Sequence, residues 1–124
     1  MADRAARGPF DRTVLEDITA FRQARSPVLG WLTVWSGAQR GADFPLRAGR
    51  NFVGSQRECQ VCLSDPQVPD FWLSIRIGQA GWTLIDLDSD GGFLHNDRPA
   101  FRGGLEDGDW IRAGELLLRV KMRA

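Results

Sequence analysis

A chain of 124 residues suits one domain, and its 43% hydrophobic content supplies a core, which excludes disorder along the whole length. Sixteen basic and sixteen acidic side chains cancel and are interspersed, so the basic face of a nucleic-acid binder is absent. No apolar run approaches the roughly 20 residues of a membrane span, the opening MADRAARGPF lacks the apolar stretch of an export signal, and two cysteines fit a reducing cytoplasm.

Residues 1–28 read as an N-terminal arm. After a lead-in containing Gly8-Pro9, the run Thr13-Val14-Leu15-Glu16 has the form of a capping box, with Thr13 as the cap and Glu16 reaching back to it. Val14, Ile18 and Phe21 follow at helical spacing with Leu15 beside them. The spacing predicts a helix over about 13–25 with one apolar face, stopped by Ser26-Pro27. A helix this short is marginal in water and needs something to dock on.

Residues 29–124 change character. Short apolar segments recur between turns: Trp31–Trp35, Phe44–Leu46, Phe52–Val53, Val61–Leu63, Phe71–Ile77, Trp82–Leu87, Phe93–His95 and Leu116–Val120. Ala48-Gly49, Asp65-Pro66, Gly78 to Gly81, Asp90-Gly91-Gly92, Gly103-Gly104 and Asp107-Gly108 break them. Many short strands with frequent Gly and Pro breaks predict an all-β sandwich or barrel. Within 71–77 a period of two sets Trp72, Ser74 and Arg76 against Phe71, Leu73, Ile75 and Ile77.

Residues 30–121 resemble a forkhead-associated (FHA) domain, and the resemblance rests on motifs in order. Gly30-Trp31-Leu32-Thr33-Val34 resembles the opening strand, and Asp43 to Leu46 followed by Asn51-Phe52-Val53-Gly54 resembles the next pair. Cys59 to Asp65 stands where the family has n-x-I-x-L-x-D, and Trp82 to Gly92 resembles W-x-L-x-D-L-x-S-x-N-G. Asn96 matches the Asn of a V-N-G turn, and Leu105 to Gly114 is close to L-x-D-G-D-x-I-x-h-G, the most specific of these segments. The resemblance implies a β-sandwich of about eleven strands behind the short N-terminal α-helix, and a non-enzymatic module that usually binds phosphothreonine peptides.

The chain departs from the family at the phosphate pocket. Ser55 stands where an Arg follows the Gly of the third strand, and Pro69-Asp70-Phe71-Trp72 replaces S-R-x-H. Gly91 and Phe93 replace the Asn and Thr of N-G-T. A phosphate near neutral pH carries about −1.5 to −2 charges and needs several charge-assisted donors. Losing two cations and gaining the Asp70 carboxylate acts against that binding.

Other constellations have plainer readings. Asp86, Asp88, Asp90, Gly91 and Asp97 reproduce the spacing of a helix-flanked calcium loop, but Trp82–Asp86 reads as strand and the last position is Asp, so a turn organised by Asp86 and Ser89 is the preferred reading. Cys59-Gln60-Val61-Cys62 lacks further zinc ligands, and in an extended strand the thiols face opposite ways. The single His95 has no nucleophile suggested by spacing, so neither catalysis nor a cofactor is expected.

These readings converge on a cytoplasmic protein-binding adaptor with a degenerate phosphothreonine pocket. Its contact residues would be Ser55, Arg57, Pro69, Asp70, Phe71, Trp72, Ser89, Gly91 and Asn96, the partner being a protein or peptide. Trp72 also has a packing reading, as a plug at the loop base in place of the family's His. A second reading keeps phosphothreonine recognition through Ser55, Arg57, Arg50 and Ser89. A third, implied by resemblance to cytoplasmic domains of bacterial secretion components, makes the chain a structural subunit that packs on other copies. The resemblance also implies a phosphorylated N-terminal threonine as a self-ligand, a role open to Thr13, whose first role is a helix cap.

Overall fold

Apolar side chains two apart, with glycine-rich breaks between runs, favour paired strands. The computed structural model, which describes residues 22–87 and 93–124, shows eleven of them. They are β1 (Val28–Val34), β2 (Asp43–Arg47), β3 (Gly49–Gly54), β4 (Val61–Cys62), β5 (Leu73–Gly78) and β6 (Gly81–Asp86). After these come β7 (Phe93–His95), β8 (Arg98–Ala100), β9 (Arg102–Leu105), β10 (Trp110–Ala113) and β11 (Leu116–Met122). One sheet has the order β2-β1-β11-β10-β7-β8 and the other β4-β3-β5-β6-β9. The β3–β4 pair is parallel, and β1–β11, β3–β5 and β5–β6 are antiparallel.

The two inner faces make the core. Leu32, Val34, Ile111, Leu118 and Val120 of the first sheet and Val53, Leu73, Ile75 and Leu84 of the second are buried. Each such side chain contributes about 1.5–3 kcal/mol on removal from water. Asn51, also buried, is satisfied in place. Its Nδ2 donates to Arg47 O (2.8 Å) and Ile75 O (3.0 Å), and its Oδ1 accepts from Arg47 N (3.0 Å), which ties the β2–β3 hairpin to β5.

Two expectations differ from the structure. The strand expected over 71–77 begins at Leu73, because Phe71 and Trp72 belong to the preceding loop, and Ser74 is buried rather than facing water. Ser74 lies between Phe52 and Ile85 across the ladder, and these larger neighbours shade it. β8, β9 and β10 did not stand out by periodicity. Of the helix expected over 13–25, residues 22–24 are helical and the rest lies outside the described residues, as does Thr13. That helical turn docks on the sandwich. Gln23 Nε2 donates to Ala48 O (3.0 Å) and Arg50 O (2.7 Å), and Gln60 Nε2 donates to Gln23 Oε1 (2.8 Å).

Candidate functional site

The β3–β4 and β4–β5 loops meet at one end of the sandwich because Gly54 lets them. A Cβ there would collide with the Asp70 carbonyl oxygen and lie 3.0 Å from Cys59 Sγ. Without it the two loops pair through their backbones. Ser55 N donates to Pro69 O (3.0 Å), Gln56 N to Asp70 O (3.3 Å), and Trp72 N to Val53 O (2.8 Å). The amides of Ser55 and Gln56, which could otherwise cradle an anion, are therefore already engaged.

Both cysteines reinforce this junction. Cys59 Sγ contacts Asp70 O at 3.5 Å and Cys62 Sγ contacts Ser55 O at 3.7 Å. Only Val61 and Cys62 are extended, with Cys59 in the turn before them, so the opposite-face argument from a continuous strand does not apply. Burial pushes the Cys59 thiol up, away from the thiolate that redox or metal chemistry would use. Among the described residues, no group of His, Cys, Asp and Glu is placed to hold a metal ion.

The expected contact residues divide on inspection. Ser55 and Asp70 come together, Ser55 Oγ donating to Asp70 Oδ1 at 3.5 Å. Pro69, Asp70 and Arg57 are exposed. Phe71 is 44% exposed, its ring meeting Phe52 edge to face at 6.3 Å. Trp72 is not on the surface: it is 1% exposed, packs edge to face on Phe93 at 6.2 Å, and its carbonyl accepts from Leu87 N at 3.0 Å. Phe93 is buried too, so of Phe71, Trp72 and Phe93 only Phe71 reaches solvent. Arg50 stands five positions back along β3 from Ser55, about 16 Å at strand rise, and so lies away from this end. Ser89 and Gly91 lie outside the described residues, as do Asp88 and Asp90 of the calcium spacing.

Asn96 does not join these loops. It closes the β7–β8 turn at the far end with positive φ (51°), its Nδ2 donating to Asp109 Oδ1 at 3.1 Å and its Oδ1 accepting from Trp110 N at 2.8 Å. Asp97 shares that turn (φ 68°), whereas Asp86 ends β6 at the loop end, so β7 separates the two described calcium-spacing carboxylates. Beside Asn96, His95 Nε2 lies 2.8 Å from Asp109 Oδ2, which also accepts from Glu106 N at 2.9 Å. Burial acts to raise the Asp109 carboxyl, but the bonds from His95, Glu106 and Asn96 together hold it below its ordinary value. This network organises a turn and includes no nucleophile.

Neither the Gly54 junction nor the Gln23–Gln60 contact is legible from the order of residues. A glycine directly before Ser55 was the available signal for the first.

Comparison with known proteins fits this architecture. Residues 33–123 match the family described as the inner membrane component of T3SS, cytoplasmic domain. Over 82 residues the chain is 35% identical to the FHA domain-containing protein FhaA of Mycobacterium tuberculosis, which covers 66% of this chain and 16% of the relative. The chain thus spans about a sixth of that protein's length. A domain solved in a study of phosphothreonine-dependent FHA domain interactions superposes with a TM-score of 0.70 at 32% identity, covering 77% of this chain and 98% of the other. The FhaA FHA domain complexed with the intracellular domain of Rv3910 gives 0.67 at 33% identity, with 74% and 99% covered. The FHA domain of the CT664 protein from Chlamydia trachomatis gives 0.68 at 27%, with 77% and 99% covered.

Proposed function

Because this chain belongs to the FHA-type family of T3SS inner-membrane-component cytoplasmic domains, built on a scaffold that serves as a non-enzymatic protein-interaction module, we propose that its loop end binds a protein partner without depending on phosphothreonine. The observation that carries this reading is the pairing of Ser55 with Asp70. A carboxylate occupies the place where the family sets a cation, and the neighbouring Ser55 and Gln56 amides are bonded to loop carbonyls. A phosphoryl group arriving there would meet like charge and few free donors. Exposed Phe71 and Pro69 offer instead the apolar contact of a protein interface.

The family match favours a cytoplasmic partner in a membrane-associated assembly. Among the described residues no helix is long and apolar enough to cross a membrane.

A second reading, phosphothreonine recognition, is favoured by the solved relatives at 32–33% identity, one of them from work on phosphothreonine-dependent interactions. Arg57 would then be the central cation. Titration with a phosphothreonine peptide library beside the unphosphorylated library separates the two. Phosphate-independent binding supports the first reading, and micromolar binding that requires the phosphate and is lost in Arg57→Ala overturns it.

A further inference from the structure

We propose that the solvent-facing side of the β2-β1-β11-β10 sheet is a second docking surface, and that its partner is an acidic polypeptide segment carrying apolar side chains. The inward residues Leu32, Val34, Leu118 and Val120 leave the alternate positions of β1 and β11 facing water. Just past the end of β1, and on β10 and β11, stands a cluster of two Trp rings and an Arg. Trp35 is 49% exposed and meets Trp110 edge to face at 5.2 Å, and the Arg119 guanidinium carbon sits 4.7 Å from the Trp110 ring centroid and 5.9 Å from that of Trp35.

The cluster is held in place before any partner arrives. Trp35 Nε1 donates to Thr33 Oγ1 (2.8 Å) and Arg119 Nε donates to Gly108 O (3.2 Å). A guanidinium stacked on indole and anchored through Nε keeps its terminal N–H groups for a carboxylate, and it loses little side-chain freedom on binding. The groove around it, about 470 Å³, also carries Arg40 and Lys121. Its acidic groups are Asp43 and Asp107, and Asp107 Oδ1 already accepts from Met122 N at 2.7 Å. Exposed Arg112, two positions along β10 from Trp110, extends the positive charge.

Charge and geometry select the occupant. A second copy docking face to face would set Arg119 and Lys121 against their own kind. A single-stranded nucleic acid needs free ring faces for stacking, and here Arg119 covers one face of Trp110 while the edge contact with Trp35 occupies more of the ring. Carboxylates for the cations and an apolar side chain against the exposed part of Trp35 fit both features. The surface lies on the opposite sheet from the Ser55–Asp70 junction, so this proposal stands apart from the loop-end reading.

The test is an anisotropy titration of the whole chain with a fluorescein-labelled peptide repeating Glu-Glu-Leu. Saturable binding at about 0.02 M NaCl is expected, weakened at about 0.3 M. Trp35→Ala and Lys121→Glu should each weaken it at least about fivefold, while Arg76→Ala, exposed on β5 in the other sheet, leaves it unchanged. Thermal unfolding checks that Trp35→Ala folds; if it does not, the exposed Lys121→Glu alone decides. The proposal is overturned by no saturation up to roughly 1 mM peptide. Equal binding of a Lys-Lys-Leu repeat, unchanged affinity in the folded variants, or displacement by a single-stranded oligonucleotide or phosphatidylserine vesicles at lower concentration overturns it as well.

Discussion

Replacing Trp72 by Ala asks whether this indole is a plug or a contact. Its side chain is 1% exposed, stands edge to face with Phe93 at 6.2 Å, and its backbone is bonded to Val53 and Leu87 on either side. Truncating a buried Trp to Ala costs about 3–5 kcal/mol, the sum of lost transfer energy and the cavity left behind. The ring contact with Phe93, worth about 0.5–1.5 kcal/mol, is part of that cost. For a chain of this length 1 kcal/mol corresponds to roughly 4 °C, so the melting temperature should fall by about 12–20 °C. Trp72→Phe retains a ring against Phe93 and should lose about a third to a half of that. Differential scanning calorimetry reads the shift, and near-ultraviolet dichroism reports whether the aromatic packing survives. A Trp72→Ala protein that melts within about 4 °C of the parent while losing partner binding would refute the plug and restore Trp72 as a contact residue.

Three further outcomes follow from the same geometry. The double substitution Ser55→Arg with Asp70→Arg removes the carboxylate and supplies two guanidinium groups, and should raise affinity for phosphothreonine over threonine peptides by at least about tenfold in isothermal titration. Asp109 has its folded-state pKa held below the ordinary 3.8, so the stability it contributes is present above about pH 4 and is lost as pH falls through the lower folded-state value. Urea midpoints measured from about pH 5 down to about pH 2 should therefore fall less steeply in Asp109→Asn than in the parent. Gly54→Ala places a methyl group against the Asp70 carbonyl, where backbone cannot yield, and should cost about 2–3 kcal/mol by denaturant unfolding with faster amide exchange at Ser55 and Gln56.

Much of the architecture was legible because sandwich strands advertise themselves locally. β1, β6 and β11 carry apolar runs bounded by Gly or Ser, and the Leu105 to Gly114 motif carried the family resemblance that implied eleven strands. Arg98-Pro99-Ala100 and Arg102 to Leu105 showed no such pattern. β8 is a three-residue strand at the sheet edge containing Pro, and β9 is half glycine, so their strand state comes from partners β7 and β6 rather than from their own side chains. The sequence also yielded the charge change at Ser55 and Asp70, since residue type alone sets charge.

What lay beyond reach was which side chains face water and which end of the sandwich they occupy. Trp72 and Phe71 are adjacent and similar in composition, yet one is core and the other is exposed, because the chain turns between loop and β5 at that point. Asn96 and Ser55 both looked like loop residues, and only the run of β7 shows that they stand at opposite ends. Trp35, Trp110 and Arg119 are scattered in sequence and become one cluster when β1, β11 and β10 pair side by side. Composition and local pattern therefore determined that this chain forms a sandwich of short strands. Strand pairing decided what its surfaces present, because neighbours in a sheet are set by register between distant segments and not by adjacency along the chain.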